Sequence, residues 1–416
     1  MSDMWRRLRS GLGDALLFLL LALVGLRYAG RLQASGDEPH YLLMAQSLWQ
    51  ERDLDLRDNY ERQDFLDYTP GPLLPHYAAP RRDGRPYPAH SPGLPLMLAP
   101  VYAAGGRRAC VIMMAGLAAL LTREARRLAR ELARDETAAR LAWLAAAGAP
   151  VFFYSFHIYT EVPCALALAL SLRLLTAERT TPLQAAAAAL CACALPWLHV
   201  KMVLAAVALG AIAMARLDAA ARVAFWITAV LGAVSFVGYY QSVFGSPSPL
   251  AIYGGVPADV ARSAPLQALV GLFLDRSFGL LPYAPVFVFA LAGIPVLLRK
   301  PRAEFGPLAA VALGVLAPAL FWRMWWGGQC PPARLLVPLV PLLAALLALG
   351  VGGRRRLLQA ASVLLAVGWA LGLFAVWRPE DRLLLNRGDR PTRLWEATFP
   401  AIGRLLPSLV PSTEPR

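Results

Sequence analysis

The sequence predicts an all-α fold, a polytopic transmembrane helical bundle. Hydrophobic residues make up 57% of the 416-residue chain and mean hydropathy is +0.48, which leaves too little polar surface for a soluble domain. The apolar residues fall in runs of about 20, the length of a hydrocarbon core. The net charge of +14 is carried by arginines clustered between those runs, as positive-inside orientation requires. That clustering assigns the basic charge to topology rather than to nucleic acid. The alternation of a β-barrel is missing.

About eleven spans follow, N-in and C-out. Arg6, Arg7 and Arg9 precede span one, residues 11–30, and set the N-terminus in the cytosol. That run has no small-residue cleavage site and is expected to stay as an anchor. Residues 31–92 form a long outer loop with interfacial helices. A short apolar helix ends at Gly105-Gly106, and span two, 107–123, returns to Arg123, Arg126, Arg127, Arg130 and Arg134. Glu124 and Glu131 stand three residues before Arg127 and Arg134, which supports a helix leaving the membrane there. Span three, 137–154, exits at Tyr154–Glu161, and span four, 162–177, comes back to Arg173 and Arg179.

Residues 184–215 are apolar between two arginine-marked flanks, so an even number of passes is needed. The break is Pro196-Trp197-Leu198-His199-Val200-Lys201. Each arm of about 14 residues spans about 21 Å, short of the 30 Å core. The turn is therefore expected below the outer surface, with His199 and Lys201 in a polar cavity. Span seven is 223–243, followed by an outer loop, 244–278, that ends in Leu274-Asp275-Arg276. Span eight, 279–298, ends at Arg299-Lys300-Pro301-Arg302. Span nine, 305–322, ends in an expected aromatic belt, Trp322, Trp325 and Trp326. Span ten begins near Pro332 and ends before Arg354-Arg355-Arg356, and span eleven is 357–377. Residues 1–377 form one transmembrane domain, and 378–416 a short polar tail outside. Cys110, Cys164, Cys191 and Cys193 lie in apolar runs and Cys330 has no evident partner, so no disulfide framework is expected.

The first outer loop carries the chemistry. Asp37 and Glu38 are adjacent carboxylates that follow an apolar helix and open another. Pro39 suits a first helical turn, and Ser35 with Glu38 has capping-box spacing. Tyr41, Met44, Ala45, Leu48 and Trp49 recur at helical spacing, which predicts an interfacial helix with both acids at its N-terminus. The helix dipole there favours ionised carboxylates. Asp53-Leu54-Asp55 reads as a solvated turn. Prolines at 70, 72, 75, 80, 86, 88, 92 and 95 exclude an ordinary helix over 68–96 and predict an irregular loop over a cavity.

Gly36-Asp37-Glu38-Pro39-His40-Tyr41-Leu42 resembles the acidic pair that follows span one in the GT-C superfamily of membrane glycosyltransferases. The bacterial relatives of protein O-mannosyltransferases and of lipid A aminoarabinose transferases are the most similar in layout. Glu161 in Tyr159-Thr160-Glu161-Val162-Pro163 resembles the second acidic residue of that family. Pro196–Lys201 resembles its broken-helix basic element, and Trp325-Trp326-Gly327-Gly328 through Arg334 its late loop. His90-Ser91-Pro92 stands where many relatives carry Lys-Pro.

The resemblance implies an inverting glycosyltransferase that moves a sugar from a polyprenyl-phosphate donor to an acceptor hydroxyl of a lipid, glycan or protein. It implies an integral inner-membrane protein of a bacterium with its site on the periplasmic face. The residues agree: no Walker A or Rossmann glycine fingerprint is present for a nucleotide donor. Asp37 is then the expected general base, with Glu38 orienting it or the acceptor, and Glu161 positioning the acceptor or raising the pKa of the base by like-charge proximity. Lys201, His199, Arg334, Arg276 and His90 are the expected contacts to the donor phosphate. An intramembrane lysine such as Lys201 is costly unless it is used. A divalent metal stays open, without assigned ligands. The alternative reading, a lipid-linked-sugar flippase, needs charges at several depths, and the spans supply few beyond His199 and Lys201.

Overall fold

The computed structural model describes residues 2–78, 83–255, 264–378, 383–384 and 394–410. Pro80 of the proline-rich run and about half of the 378–416 tail lie outside them. The described residues form an all-α multi-pass membrane bundle. Five helices in it are long and apolar enough to cross a bilayer, and four shorter apolar helices lie between them. The only pairing of extended chain among the described residues is an isolated antiparallel bridge, Tyr77 with Pro88.

Helix α1 (Ser2–Ala29) leads into the outer loop. Its last carbonyls would be orphaned in an apolar setting, and Arg107 satisfies two of this turn by donating to Ala29 O (3.2 Å) and Leu32 O (2.7 Å). Helix α2 (Glu38–Gln50) and the short α3 (Arg57–Glu61) follow. The expected interfacial helix is instead packed on almost all sides: Leu42 and Leu43 are as inaccessible as Met44 and Ala45, while Trp49 is exposed. The reason is α4 (Gly93–Ala133), which packs along α2.

The sequence break in α4 is real. Gly106 has φ 57° and ψ −149°, a conformation that a side chain would not tolerate, and the helix kinks there. Helix α4 is central to the bundle and packs against α1, α2, α5 (Glu136–Ala147) and α7 (Glu161–Thr176). Glu124 near its end pairs with Arg127 (2.6 Å) and with Arg173 of α7 (2.6 Å). Arg134 ends α4 in the left-handed region rather than continuing it.

Span three is interrupted. Helix α5 stops at Gly148, and a one-turn α6 (Val151–Tyr154) follows. The expected break in 184–215 is present: α8 (Pro182–Leu198) and α9 (Val203–Arg216) are joined by a 3₁₀ turn, Val200–Met202. Helix α10 (Ala219–Phe244) packs along α8, and Gly232 admits the Cys193 side chain between them. The later elements are α11 (Pro265–Leu274), α12 (Ala290–Leu298), α13 (Arg302–Leu320), α14 (Val340–Val351) and α15 (Arg355–Trp377). Helices α12 and α14 touch backbone to backbone, because Gly293 sits on the Leu346 carbonyl and Gly350 on that of Phe289. Small residues permit such approach where lipid offers no hydrophobic drive between helices.

The aromatic belt is corrected. Trp325 and Trp326 are buried, and Trp325 fills the space beside Gly271 of α11. Fold-back of α11 over the loop takes these rings out of the interface. All five cysteines are free, as expected.

Candidate active site

The loop leaving α1 turns at Gly36, which has φ +61°. A Cβ there would collide with the Tyr159 hydroxyl and the Gln329 carbonyl. Glycine is needed for both reasons. Gly36→Ala is expected to destabilise the protein by more than about 1 kcal/mol and to displace the residue that follows it. A thermal melt in detergent, beside the turnover rate, checks this; an unchanged melt and rate would remove the constraint.

Asp37 follows. It occupies the N-cap position of α2, yet its side chain makes no cap hydrogen bond. It turns instead toward Arg334, whose Nη2 donates to Asp37 Oδ2 at 2.6 Å. Arg334 opens a 3₁₀ segment, Arg334–Leu339, just after Ala333 in the left-handed conformation (φ 57°). That turn throws the guanidinium back across the loop. Its Nε donates to Glu161 Oε1 (2.8 Å) and its Nη1 to the Gly327 carbonyl (2.9 Å). Its carbon lies 4.5 Å from the Tyr159 ring centre, a stacking geometry that suits guanidinium better than ammonium.

Glu161 is the first residue of α7. Lys201, in the turn between α8 and α9, donates from Nζ to the same Oε1 at 2.9 Å. His199 accepts the Lys201 peptide N–H on Nδ1 (3.3 Å) and so shapes that turn. The start of α4 presses on the same break: a Cβ at Gly93 would meet the Trp197 carbonyl oxygen at 2.5 Å. Four charges from four parts of the chain thus converge, two carboxylates with two cations.

The four are not equally accessible. The Glu161 side chain is 0% exposed and that of Arg334 8%, but Lys201 keeps 22% and Asp37 26%. Asp37 is the more accessible of the two carboxylates. Burial pushes its carboxyl up, but Arg334, helped by His90 and His40, outweighs this and holds the group well below the usual carboxylate range.

The other sequence candidates form no ion pair with this cluster. Glu38 is 1% exposed, and its two oxygens accept backbone N–H groups, Ile158 N at 2.9 Å and Ser35 N at 3.1 Å. It ties the loop before α2 to the loop before α7. Arg276 is elsewhere: its peptide N–H donates to Pro407 O (2.8 Å) and its Nη1 to Gly403 O (3.4 Å), so it holds the C-terminal segment. Asp53 and Asp55 form a local turn with Ser47 and Arg57. His90 is buried, packs on Tyr41 and meets His76 in a ring-nitrogen contact of 3.1 Å. Burial and the neighbouring imidazoles push His40 down to about 3. Burial likewise pushes His90 down to about 4, against the pull of Asp37.

Sequence reasoning missed Tyr159 as a platform for Arg334 and His76 as a neighbour of His90. Composition held a signal for the second, since three of only five histidines fall between positions 40 and 90.

A solved structure, ArnT from Cupriavidus metallidurans bound to undecaprenyl phosphate, matches this arrangement of helices with a TM-score of 0.57. The match covers 92% of this chain and 68% of that one at 16% identity. The chain shares the fold of that structure. The apo state of the same ArnT and the apo oligosaccharyltransferase of Archaeoglobus fulgidus are similar at a TM-score of 0.49 each, with 16% and 14% identity. Those matches cover 93% and 88% of this chain, and 68% and 55% of the other chains. No family model and no curated protein sequence matches the chain. Within this fold, the charge cluster occupies the N-terminal end of α7, whereas Arg173 and the paired Glu124 occupy the other end. Twelve residues of α-helical rise separate Glu161 from Arg173, roughly 18 Å.

Proposed function

We propose that this protein is an inverting glycosyltransferase that takes a sugar from a polyprenyl-phosphate donor and places it on an acceptor hydroxyl at the outer face of the membrane. The observation that carries this reading is the Arg334 bridge between Asp37 and Glu161, with Lys201 as a second cation, in a buried site of a GT-C fold. A neighbour of this fold binds undecaprenyl phosphate. The outer-face assignment follows the arginine bias: the Arg127–Glu124–Arg173 cluster marks the end of α7 opposite the site.

The chemistry follows from charge. The acceptor oxygen attacks the anomeric carbon from the side away from the phosphate. Its proton passes to the Asp37 carboxylate. The bond from the anomeric carbon to the phosphate oxygen breaks, and the electron pair leaves on the lipid phosphate. That leaving group needs cations rather than an acid, and Arg334 and Lys201 are the cations within reach. In the resting site both are spent on carboxylates. A donor phosphate that draws Arg334 toward itself loosens its hold on Asp37 and makes that carboxylate more basic. Glu161, fully sealed, keeps the two cations aligned. Glu38 anchors the loop that presents Asp37.

The direct test is release of polyprenyl phosphate by purified protein from labelled polyprenyl-phosphate sugars, screened across sugars with and without an acceptor. No release with any donor would overturn the reading. Lys201→Ala is expected to weaken use of the donor about 10-fold or more, the size of a lost hydrogen bond to a charged group, and to leave the acceptor KM nearly unchanged. Equal effects on donor and acceptor would make Lys201 structural.

A further inference from the structure

Outside the ion-pair cluster, the outer loop brings three imidazoles together. His40 comes from the first turns of α2. His76 and His90 flank the small antiparallel bridge, in which Ala89 N–H donates to the His76 carbonyl (2.9 Å) and Ala78 N–H to that of Tyr87 (2.7 Å). One ring nitrogen from each of the three lies within 4.8 Å of the others. His76 Nδ1 and His90 Nε2 are already 3.1 Å apart. Metal–nitrogen bonds of about 2.0–2.1 Å in a tetrahedron place neighbouring nitrogens about 3.3 Å apart, so these two need almost no movement.

The supporting contacts also fit. His40 Nδ1 lies 2.8 Å from the Tyr60 hydroxyl, which leaves Nε2 to face the other rings. Such a hydrogen bond on the far nitrogen fixes ring orientation and tautomer in histidine ligands. His90 is held from behind by the Tyr41 ring at 4.9 Å. His40 and His90 are each 8% exposed, whereas His76 is exposed and opens the cluster to solvent. Two fixed imidazoles and one accessible imidazole make a site that a metal can enter. An all-imidazole set suits zinc and its neighbours, not magnesium or calcium.

We propose that His40, His76 and His90 bind one divalent transition metal of the zinc class. The ion clips the proline-rich segment to α2 and leaves a fourth position open to a water or a substrate oxygen beside Asp37. Binding itself does not depend on the glycosyl-transfer reading; only the role of the open position rests on it.

The test uses the full chain in detergent, free of any polyhistidine tag, stripped with chelator and then titrated with Zn²⁺ against a chromophoric chelator. One equivalent is expected to bind to the wild type. Because losing an outer hydrogen bond to a ligand costs 10–100-fold, losing the ligand itself in His76→Ala is expected to cost about 100-fold or more. His76 is exposed, so this variant is expected to fold, and its melt in the stripped state should match that of the wild type. Tyr60→Phe keeps all three ligands and should weaken binding about 10-fold or more. Co²⁺ in place of Zn²⁺ should give the visible absorption of a tetrahedral site in the wild type and lose it in His76→Ala. No binding by the wild type, or equal binding by wild type and His76→Ala, overturns the proposal. If glycosyl transfer fails while the metal binds as described, the site stands and the functional reading falls.

Discussion

Asp37→Asn is expected to lower kcat by about 10²–10⁴-fold, the usual contribution of a general base, while the protein stays folded and inserted. The asparagine keeps the size of the side chain and can still accept from Arg334 Nη2, which now donates at 2.6 Å. What disappears is the negative charge and the capacity to take a proton. Binding should move the other way. The wild-type cluster balances two carboxylates with two cations, and the variant carries one surplus positive charge. Undecaprenyl phosphate should therefore bind Asp37→Asn at least as tightly as it binds the wild type. Turnover of a labelled donor and titration of the free lipid phosphate separate the two effects. Activity within 10-fold of the wild type would take the base role from Asp37, and weaker lipid binding would argue that the carboxylate only supports the fold.

Arg334→Met is the second large effect, and it acts on stability and binding together. Arg334 uses three donor nitrogens on three partners, the distant Asp37 and Glu161 and the nearby Gly327 carbonyl, and stacks on Tyr159. Its removal leaves Asp37 without its partner and Glu161, wholly inaccessible, with Lys201 alone. Breaking a buried pair by deleting one member typically costs 3–5 kcal/mol, so the melt should fall by several degrees. Lipid-phosphate affinity should fall about 10–100-fold with the loss of a charge-assisted donor. The double variant Glu161→Gln/Arg334→Met discriminates. It neutralises the stranded carboxylate and should recover part of the melt, while activity stays lost. Recovery of activity in the double variant would show that Arg334 serves only to neutralise Glu161. Arg334→Lys is not expected to rescue, because one ammonium cannot reach Asp37, Glu161 and the Gly327 carbonyl in the same fork.

Much of the architecture was legible in the chain itself. The break at Pro196–Lys201, the stop at Gly105-Gly106 and the long helix before Phe244 all appear where composition placed them. These features depend on local properties: how apolar a window is, and where proline or glycine interrupts it. The acids Asp37 and Glu161 and the cations Lys201 and Arg334 stood out for the same reason, as charges at the edges of apolar runs. The choice among candidates was not legible. Glu38 looks as catalytic as Asp37 in sequence, yet both its oxygens are taken by backbone amides, one of them 120 positions away. Arg276 looks as available as Arg334, yet it is held against the C-terminal segment. The amphipathic pattern of α2 pointed to a membrane surface, yet α4 packs along that helix.

The sequence by itself determined the partition of this chain between lipid and water, because each residue enters that balance through its own side chain and its nearest neighbours. Tertiary structure alone decided which charges neutralise each other. Asp37 meets Arg334 across 297 positions and Glu161 meets it across 173. In a low-dielectric interior a charge must find a partner within a few ångströms, and only the packing of the helices brings such distant positions that close.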